Sequence, residues 1–431
     1  MSLSQSGISA LNRLASGTFV RKLSSAVIVQ ALLSIGNLTV GLILIRFSSD
    51  AQYGYYVLVL NALMLVTSAQ SQFMGPATIQ RLTRLDRAGR ADVIGSLYGD
   101  QKRLIPILGL GAALVIGTLW ISGQLSGHTA LLALAATAAA LASLNREFFR
   151  MVLFAYRQPT DVLRVDFLYV IALVAGAAFA TLFSMAATIS VVVLFLAAFG
   201  GSTLLARALW RHEPWNEHAP RGILREFIPI GAWTTAGGMI HWSFSQGYNY
   251  LIVGTLDVTA VAAVAATRLL MMPVNMLSTG IGSLMLPTAS AWLQHLRPVV
   301  VFRRLLLLSL GIAGIALCYL GVVWVLRDFI FENVLHKHFP QRDLLVVLWA
   351  IIFILMVFRD QLLFLPLGRA RYKSLAFLTL GCAIASLTVS YFAMLHIGVI
   401  GALIGVLTGE TINVTGLICM SLLEIRRDRA S

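Results

Sequence analysis

Charged residues are scarce. Only 12% of the 431 residues are Asp, Glu, Lys or Arg, about half the share of a soluble globular chain. Together with 58% hydrophobic residues and a mean hydropathy of +0.84, this excludes an ordinary soluble domain and a disordered chain. Cysteine is scarce too. Cys318, Cys382 and Cys419 lie inside apolar blocks with no metal-ligand spacing and no disulfide framework. The chain has no Walker A motif, no nucleotide-binding glycine loop and no nucleophile elbow. His336 and His338, in HKH, are too few for a metal site, so no cofactor is expected. The first residues, MSLSQSGISALNRLASGTFVRK, show no cleavable signal pattern, and the first apolar block is expected to act as an uncleaved signal.

What the chain does have is apolar blocks about twenty residues long, the length of a bilayer-spanning helix. Twelve are read, roughly at 23–46, 53–75, 103–123, 128–149, 163–184, 186–206, 226–252, 258–283, 302–326, 343–364, 374–395 and 398–422. The net charge is +14, and 26 of the 32 Lys and Arg fall on one side of this alternation against 4 on the other. Basic residues are retained on the cytoplasmic side, so both termini are expected there. The excess is therefore read as topology and attraction to anionic membrane lipids, and nucleic acid is not expected as a partner. The expected fold is an all-α integral membrane protein of about twelve transmembrane helices, in two six-helix lobes around a central cavity, N-in/C-in. The lobes are read as 1–206 and 226–431, joined by a cytoplasmic linker at 207–225. The longest outer loop, Arg327–Arg342, has 16 residues, too few for a catalytic domain. An enzyme such as a membrane polymerase or ligase is thereby disfavoured.

Polar residues inside spans face a bundle interior or a water-filled cavity. Gln30, Ser34, Asn37 and Gly41 share one face of the first span; Asn61, Ser68 and Gln72 one face of the second. Thr234, His241, Ser245 and Tyr248 do so in the seventh, and Arg268, Asn275 and Thr279 in the eighth. Each stripe fits either a cavity wall or hydrogen bonding between helices. Trp242, Phe244, Tyr248 and Tyr250 either stack on sugar rings or fill the core. Arg268 lies about ten residues inside its span, beyond easy snorkelling, and its planar fork suits a phosphate. Arg146 and Arg150 are one helical turn apart, with Glu147 able to pair with Arg150. Asp166 and Glu410 are the acids most clearly inside spans; each either carries a coupling proton or pairs with an arginine. Asp360 beside Arg359 reads as an interfacial pair.

Two segments carry a resemblance. RFSSDAQYGYYVLVLNALMLV, after the first span, resembles the junction of Wzx-type polysaccharide flippases of the multidrug/oligosaccharidyl-lipid/polysaccharide exporter superfamily. YNYLIVGTLDVTAVAAVAATRLLMMPVNMLSTGIGSLMLPTASAWL resembles the equivalent junction of the second half. The family's aspartate in the seventh span is replaced by Ser245–Gln246–Gly247–Tyr248, and the second Gly-x-Tyr by Ala262–Ala263–Val264. The resemblance implies a flippase in a bacterial cytoplasmic (inner) membrane. It would carry an undecaprenyl-pyrophosphate-linked oligosaccharide outward by alternating access, for exopolysaccharide or O-antigen synthesis. Arg268 is then the first candidate for the pyrophosphate, with Arg46, Arg146 and Arg150 as further ones. Asn37, Gln72, His241, Trp242, Tyr248 and Asn275 are candidate sugar contacts, and Asp166 and Glu410 candidate coupling acids. The implied partners are the lipid-linked oligosaccharide, a polysaccharide polymerase and glycosyltransferases. The alternative is a cation-coupled drug or metabolite exporter of the same superfamily.

Overall fold

A computed structural model of the chain describes residues 17–82, 85–156 and 158–430. Arg13, Arg84 and Arg157, three of the basic residues assigned to the cytoplasmic side, lie outside them. Among the described residues there is helix and no strand. The helices are α1 (Gly17–Phe47), α2 (Asp50–Leu82), α3 (Arg87–Ile121), α4 (Gly127–Ala155), α5 (Pro159–Ala180), α6 (Ala186–His212), α7 (Ile223–Thr255), α8 (Val258–Leu269), α9 (Met272–His295), α10 (Pro298–Val325), α11 (Arg342–Leu362), α12 (Tyr372–Ile397) and α13 (Val399–Ala430). A short helix, Phe364–Gly368, follows α11. The longest predicted outer loop is also partly helical, with Arg327–Phe329 leading into a π-helical Ile330–Leu335.

Counting α8 and α9 as one bent element, the order is that of the twelve predicted spans. Nine of the described helices are long and apolar enough to cross a membrane, ten with the bent pair. The set leaves out α7, with its polar stripe, and α11, with the Arg359–Asp360 pair. In α3 the most apolar stretch has 0% of its residues buried in the protein. Ile107, Leu110, Leu114 and Ile121 on that helix are 61–82% exposed. A bare surface this apolar is covered by lipid. The protein is a multi-pass membrane protein.

The helix ends follow local chemistry. Asp86 caps α3 by accepting from the Gly89 amide at 2.9 Å; Ser126 caps α4 through the Thr129 amide at 3.3 Å. Proline occupies the first turn of α5, α9 and α10, where its missing N–H costs nothing. Gly398, at φ 62°, ends α12. Hydropathy located the spans but not these ends. The predicted third span starts near 103, whereas α3 starts at Arg87 and has 35 residues. That is roughly 50 Å of helix against a hydrocarbon core of about 30 Å, so charged turns project from the bilayer as helix.

The predicted eighth span is broken. α8 and the start of α9 meet at 58° because Pro273 cannot continue the α8 ladder. The Leu270 carbonyl at the bend instead accepts from the Tyr319 hydroxyl at 2.8 Å.

Contacts divide the chain into two compact units, Met1–Val40 with Val59–Ala236, and Gly41–Leu58 with Gly237–Ser431. These differ from the predicted lobes in two respects. First, residues 41–58 belong with the second unit. The Lys337 ammonium donates to the Ser48 carbonyl at 2.9 Å and to Asp50 Oδ1 at 2.7 Å. Gly54 packs so tightly on α8 that a Cβ would sit 2.2 Å from the Val258 carbonyl oxygen. Second, the predicted linker and the start of α7 belong to the first unit. α6 continues to His212, and the segment that follows is docked on the charged half of α3. Asn216 donates to Asp92 Oδ1 at 2.7 Å, Asp100 accepts from the Gly222 amide at 3.0 Å, and Arg90 pairs with Glu213 at 3.2 Å. The Thr234 hydroxyl of α7 donates to the Gln72 carbonyl at 2.7 Å. The core of the first unit is built on Phe148, Phe149, Val152, Leu205 and Leu209. That of the second centres on Val301, Leu305, Leu362, Leu365 and Leu417.

Candidate functional site

The second unit contains a pocket of about 520 Å³. His241, Ser245 and Gln246 of α7 line it, with Arg268 of α8 and Asn275, Ser278, Thr279 and Gly282 of α9. α11 adds Met356, Arg359 and Asp360, and α13 adds Asn413. Leu363, Phe364, Leu375 and Thr379 complete the wall. The α8–α9 bend places Arg268, in the last turn of α8, and Asn275, in the first turns of α9, on the same cavity.

Arg268 is held by neutral groups. Its Nη1 donates to Gln246 Oε1 at 2.8 Å and to the Tyr248 hydroxyl at 3.1 Å. Its guanidinium lies 5.4 Å from the Trp349 ring centre, a cation–π contact. The Trp349 indole is fixed by donating to the Val264 carbonyl at 3.1 Å. Gln246 stands in the stretch where the resemblance expects an acid, and it orients the arginine without neutralising it.

Arg359 is held differently. Its Nη1 donates to Glu410 Oε1 at 2.5 Å, and its Nε and Nη2 to Asp360 Oδ1 at 3.0 and 2.8 Å. The Ser278 hydroxyl donates to Asp360 Oδ2 at 3.0 Å. Glu410 is 3% exposed, and its Oε2 has no hydrogen-bond partner among the described residues. Two carboxyl groups thus share one guanidinium, whereas Arg268 has no acid among its hydrogen-bond partners. The Arg359–Asp360 pair was expected at an interface. It lines the pocket instead, because Glu410 of α13 draws Arg359 inward.

A second charge cluster lies in the first unit. Asp166, 0% exposed, accepts from Arg146 Nη2 and, at 3.1 Å, from Arg150 Nε. Arg150 also donates to Glu147 at 3.0 Å, and Arg146 lies 3.8 Å from the Tyr169 ring centre. Two cations and two anions close on each other here.

The remaining candidates divide accordingly. His241 and Asn275 line the pocket beside Arg268. Tyr248, expected as a sugar contact, is 1% exposed and packs on Trp349 with ring centres 6.0 Å apart; no face is open for stacking. Trp242 lies outside the pocket lining, its ring 5.7 Å from Tyr250. Arg46 is exposed at the end of α1, stacked on its neighbour Phe47. Asn37 and Gln72 belong to the first unit and are half-buried. Arg146 and Arg150, expected to receive pyrophosphate, already hold Asp166 and Glu147, and Asp166, expected to couple ions, is neutralised by both arginines. Sequence reasoning missed Arg359, Ser278 and Trp349 as parts of the site. Only the intramembrane position of Arg359, one residue before Asp360, signalled it.

No protein-family model matches the chain, and no curated protein matches it. Solved structures do. A multidrug resistance MATE family transporter of the MOP superfamily, in an inward-facing conformation, superimposes with a TM-score of 0.69 at 15% identity, covering 92% of this chain and 94% of that one. A MOP superfamily transporter from Pyrococcus furiosus, described by the reversed polarity of its binding pocket, gives 0.61 at 14% identity with 96% of each chain covered. An outward-facing MATE transporter gives 0.59 at 13% identity, again with 96% of each covered. The chain has the all-helical, two-lobe fold of these transporters.

Proposed function

We propose that the chain is a secondary exporter of small organic solutes. The observation that carries this is the pocket of the second unit. Its volume, about 520 Å³, is that of a drug-sized ligand site, and its wall mixes apolar residues with a few fixed polar groups. The fold shared with MATE transporters supports the same reading. Since the sequence holds no nucleotide-binding motif, transport runs on an ion gradient, the membrane potential or the solute's own gradient. Expression in a pump-deficient bacterial host, with efflux of a panel of dyes and metabolites, tests the proposal. Energy-dependent efflux of at least one compound, lost in Arg268→Gln at equal membrane expression, is the expected result. No efflux across the panel from a correctly inserted protein overturns it.

One observation favours the other reading, a flippase for a lipid-linked oligosaccharide. Arg268 is a cation with neutral partners only, as a pyrophosphate site requires. Deletion of the gene discriminates: loss of surface polysaccharide with lipid-linked units accumulating inside is the flippase result.

A further inference from the structure

We propose that the pocket takes an organic monoanion, its carboxylate gripped by Arg268 and its apolar body packed on the facing wall. This rests on the exporter reading and names the substrate class of that same pocket. Three observations carry it.

The first is the set of donors within reach. The Nε and Nη2 atoms of Arg268 make no hydrogen bond among the described residues; Nη1 alone is engaged. Neither atom is among the buried side-chain atoms that lack a partner, and Arg268 lines the pocket, so both are open to a ligand. Nε and Nη2 share one edge of the guanidinium, an edge that carries two parallel N–H groups suited to a carboxylate. Arg359 spends the same edge on Asp360, at 3.0 and 2.8 Å. Gln246 adds a further donor. Its Oε1 accepts from both Arg268 and the Asn249 amide, at 2.8 and 3.3 Å, which orients the side chain and leaves its Nε2 as the free end.

The second is the charge of the wall. Arg268, Arg359 and Asp360 are its charged residues. Arg359 is held by Asp360 and Glu410, and both oxygens of Asp360 already have donors, from Arg359 and Ser278. Arg268 is the charged group of the wall without a counter-ion, and one negative charge supplies it. A cation finds no free acid. A second negative charge on the solute shares the cavity with Asp360 and has no cation of its own, and unpaired charge in a poorly solvated site is expensive.

The third is the rest of the wall. Met356, Leu363, Phe364 and Leu375 give it an apolar side. A volume of about 520 Å³ leaves room there for an aromatic or branched body beside the acidic group.

The test is calorimetric binding to the intact chain in detergent, in mildly alkaline buffer, with four probes of similar shape. These are naphthylacetate as monoanion, naphthylacetamide as its neutral counterpart, naphthylethylammonium as cation and naphthylmethyl phosphate as dianion. The carboxylate is expected to bind at least tenfold more tightly than the amide or the amine, and no more weakly than the phosphate. Arg268→Gln should abolish the margin of the carboxylate over the amide. Gly282→Leu adds bulk to the lining without changing its charge, and a Cβ there has 3.6 Å to the Phe364 ring; it should weaken the carboxylate at least tenfold. Equal binding of carboxylate and amide, preference for the amine, tighter binding of the phosphate or no binding by any probe overturns the proposal. So does a margin that survives Arg268→Gln, or carboxylate binding unchanged by Gly282→Leu. The wild-type series decides it if a variant fails to fold. Binding needs no translocation. Active efflux without preference for the carboxylate therefore refutes the monoanion and spares the exporter, and that preference without efflux of any compound does the reverse.

Discussion

Replacing Asp166 by Asn removes one charge from the closed cluster of the first unit and leaves its volume unchanged. Asp166 is 0% exposed and serves two arginines, Arg146 Nη2 and Arg150 Nε. Asparagine keeps one acceptor oxygen and turns an amide N–H₂ toward the other guanidinium. Breaking one side of a buried ion pair costs roughly 3–5 kcal/mol. Two features pull the figure to the lower end: Arg150 retains Glu147 at 3.0 Å, and Arg146 retains the Tyr169 ring at 3.8 Å. The expected loss is about 3 kcal/mol, a shift of about a hundredfold in the folded-to-unfolded ratio. Reversible unfolding in mixed micelles measures it. The control is the double variant Arg146→Gln/Asp166→Asn, which leaves the neutral Arg150–Glu147 pair. It should recover about half of the loss, since the uncompensated charge is gone. Transport should fall in the single variant and rise with stability in the double. A single variant within about 1 kcal/mol of the parent, or a double no more stable than the single, refutes the charge-balance reasoning. A single variant of full stability that loses the ion dependence of transport assigns Asp166 to coupling instead.

Other consequences are simpler to check. Asp257 caps α8, accepting from the Ala260 amide at 2.7 Å and the Thr259 hydroxyl at 2.6 Å, so Asp257→Ala should cost about 1 kcal/mol in the same unfolding assay. Those hydrogen bonds, the Thr259 hydroxyl first, hold its carboxyl below the ordinary value of 3.8. Its stabilisation is complete above that value and disappears as pH falls through the lowered one, so unfolding curves of the parent and Asp257→Asn should converge only in strong acid. In the α12–α13 hairpin, a Cβ on Gly405 would lie 2.1 Å from Ser390 Oγ and 2.4 Å from its backbone nitrogen. Gly405→Ala should destabilise by about 1–3 kcal/mol. Gly111→Ala in α3 meets nothing within 4 Å and should be neutral or stabilising by up to about 1 kcal/mol; equal effects at both positions would refute the packing.

The order of the helices was legible, and for ten of the twelve predicted spans, the bent pair counted as one, the reason is that lipid exposure writes itself into composition over about twenty residues. The helix ends were not, because a helix continues past the bilayer wherever a cap such as Asp86 and good helix formers allow it. The exchange of residues 41–58 between units was illegible for a different reason. It depends on Lys337 reaching Asp50 and on Gly54 admitting the Val258 carbonyl, contacts that no local pattern encodes. The same distinction runs through the candidate site. Intramembrane charge singled out Arg268, Asp166 and Glu410, since a charge inside a span demands a reason. Which reason applies depends on partners far along the chain. Arg146 and Arg150 find two acids within 20 residues of themselves and close on them. Arg268 finds only Gln246, Tyr248 and Trp349, all neutral, and remains a cation facing a pocket. Glu410 finds Arg359, 51 residues away, but must share it with Asp360. A membrane arginine or acid is therefore read through the charge its surroundings leave over, and in this chain Arg268 is the one of these arginines that faces a pocket with neutral partners alone.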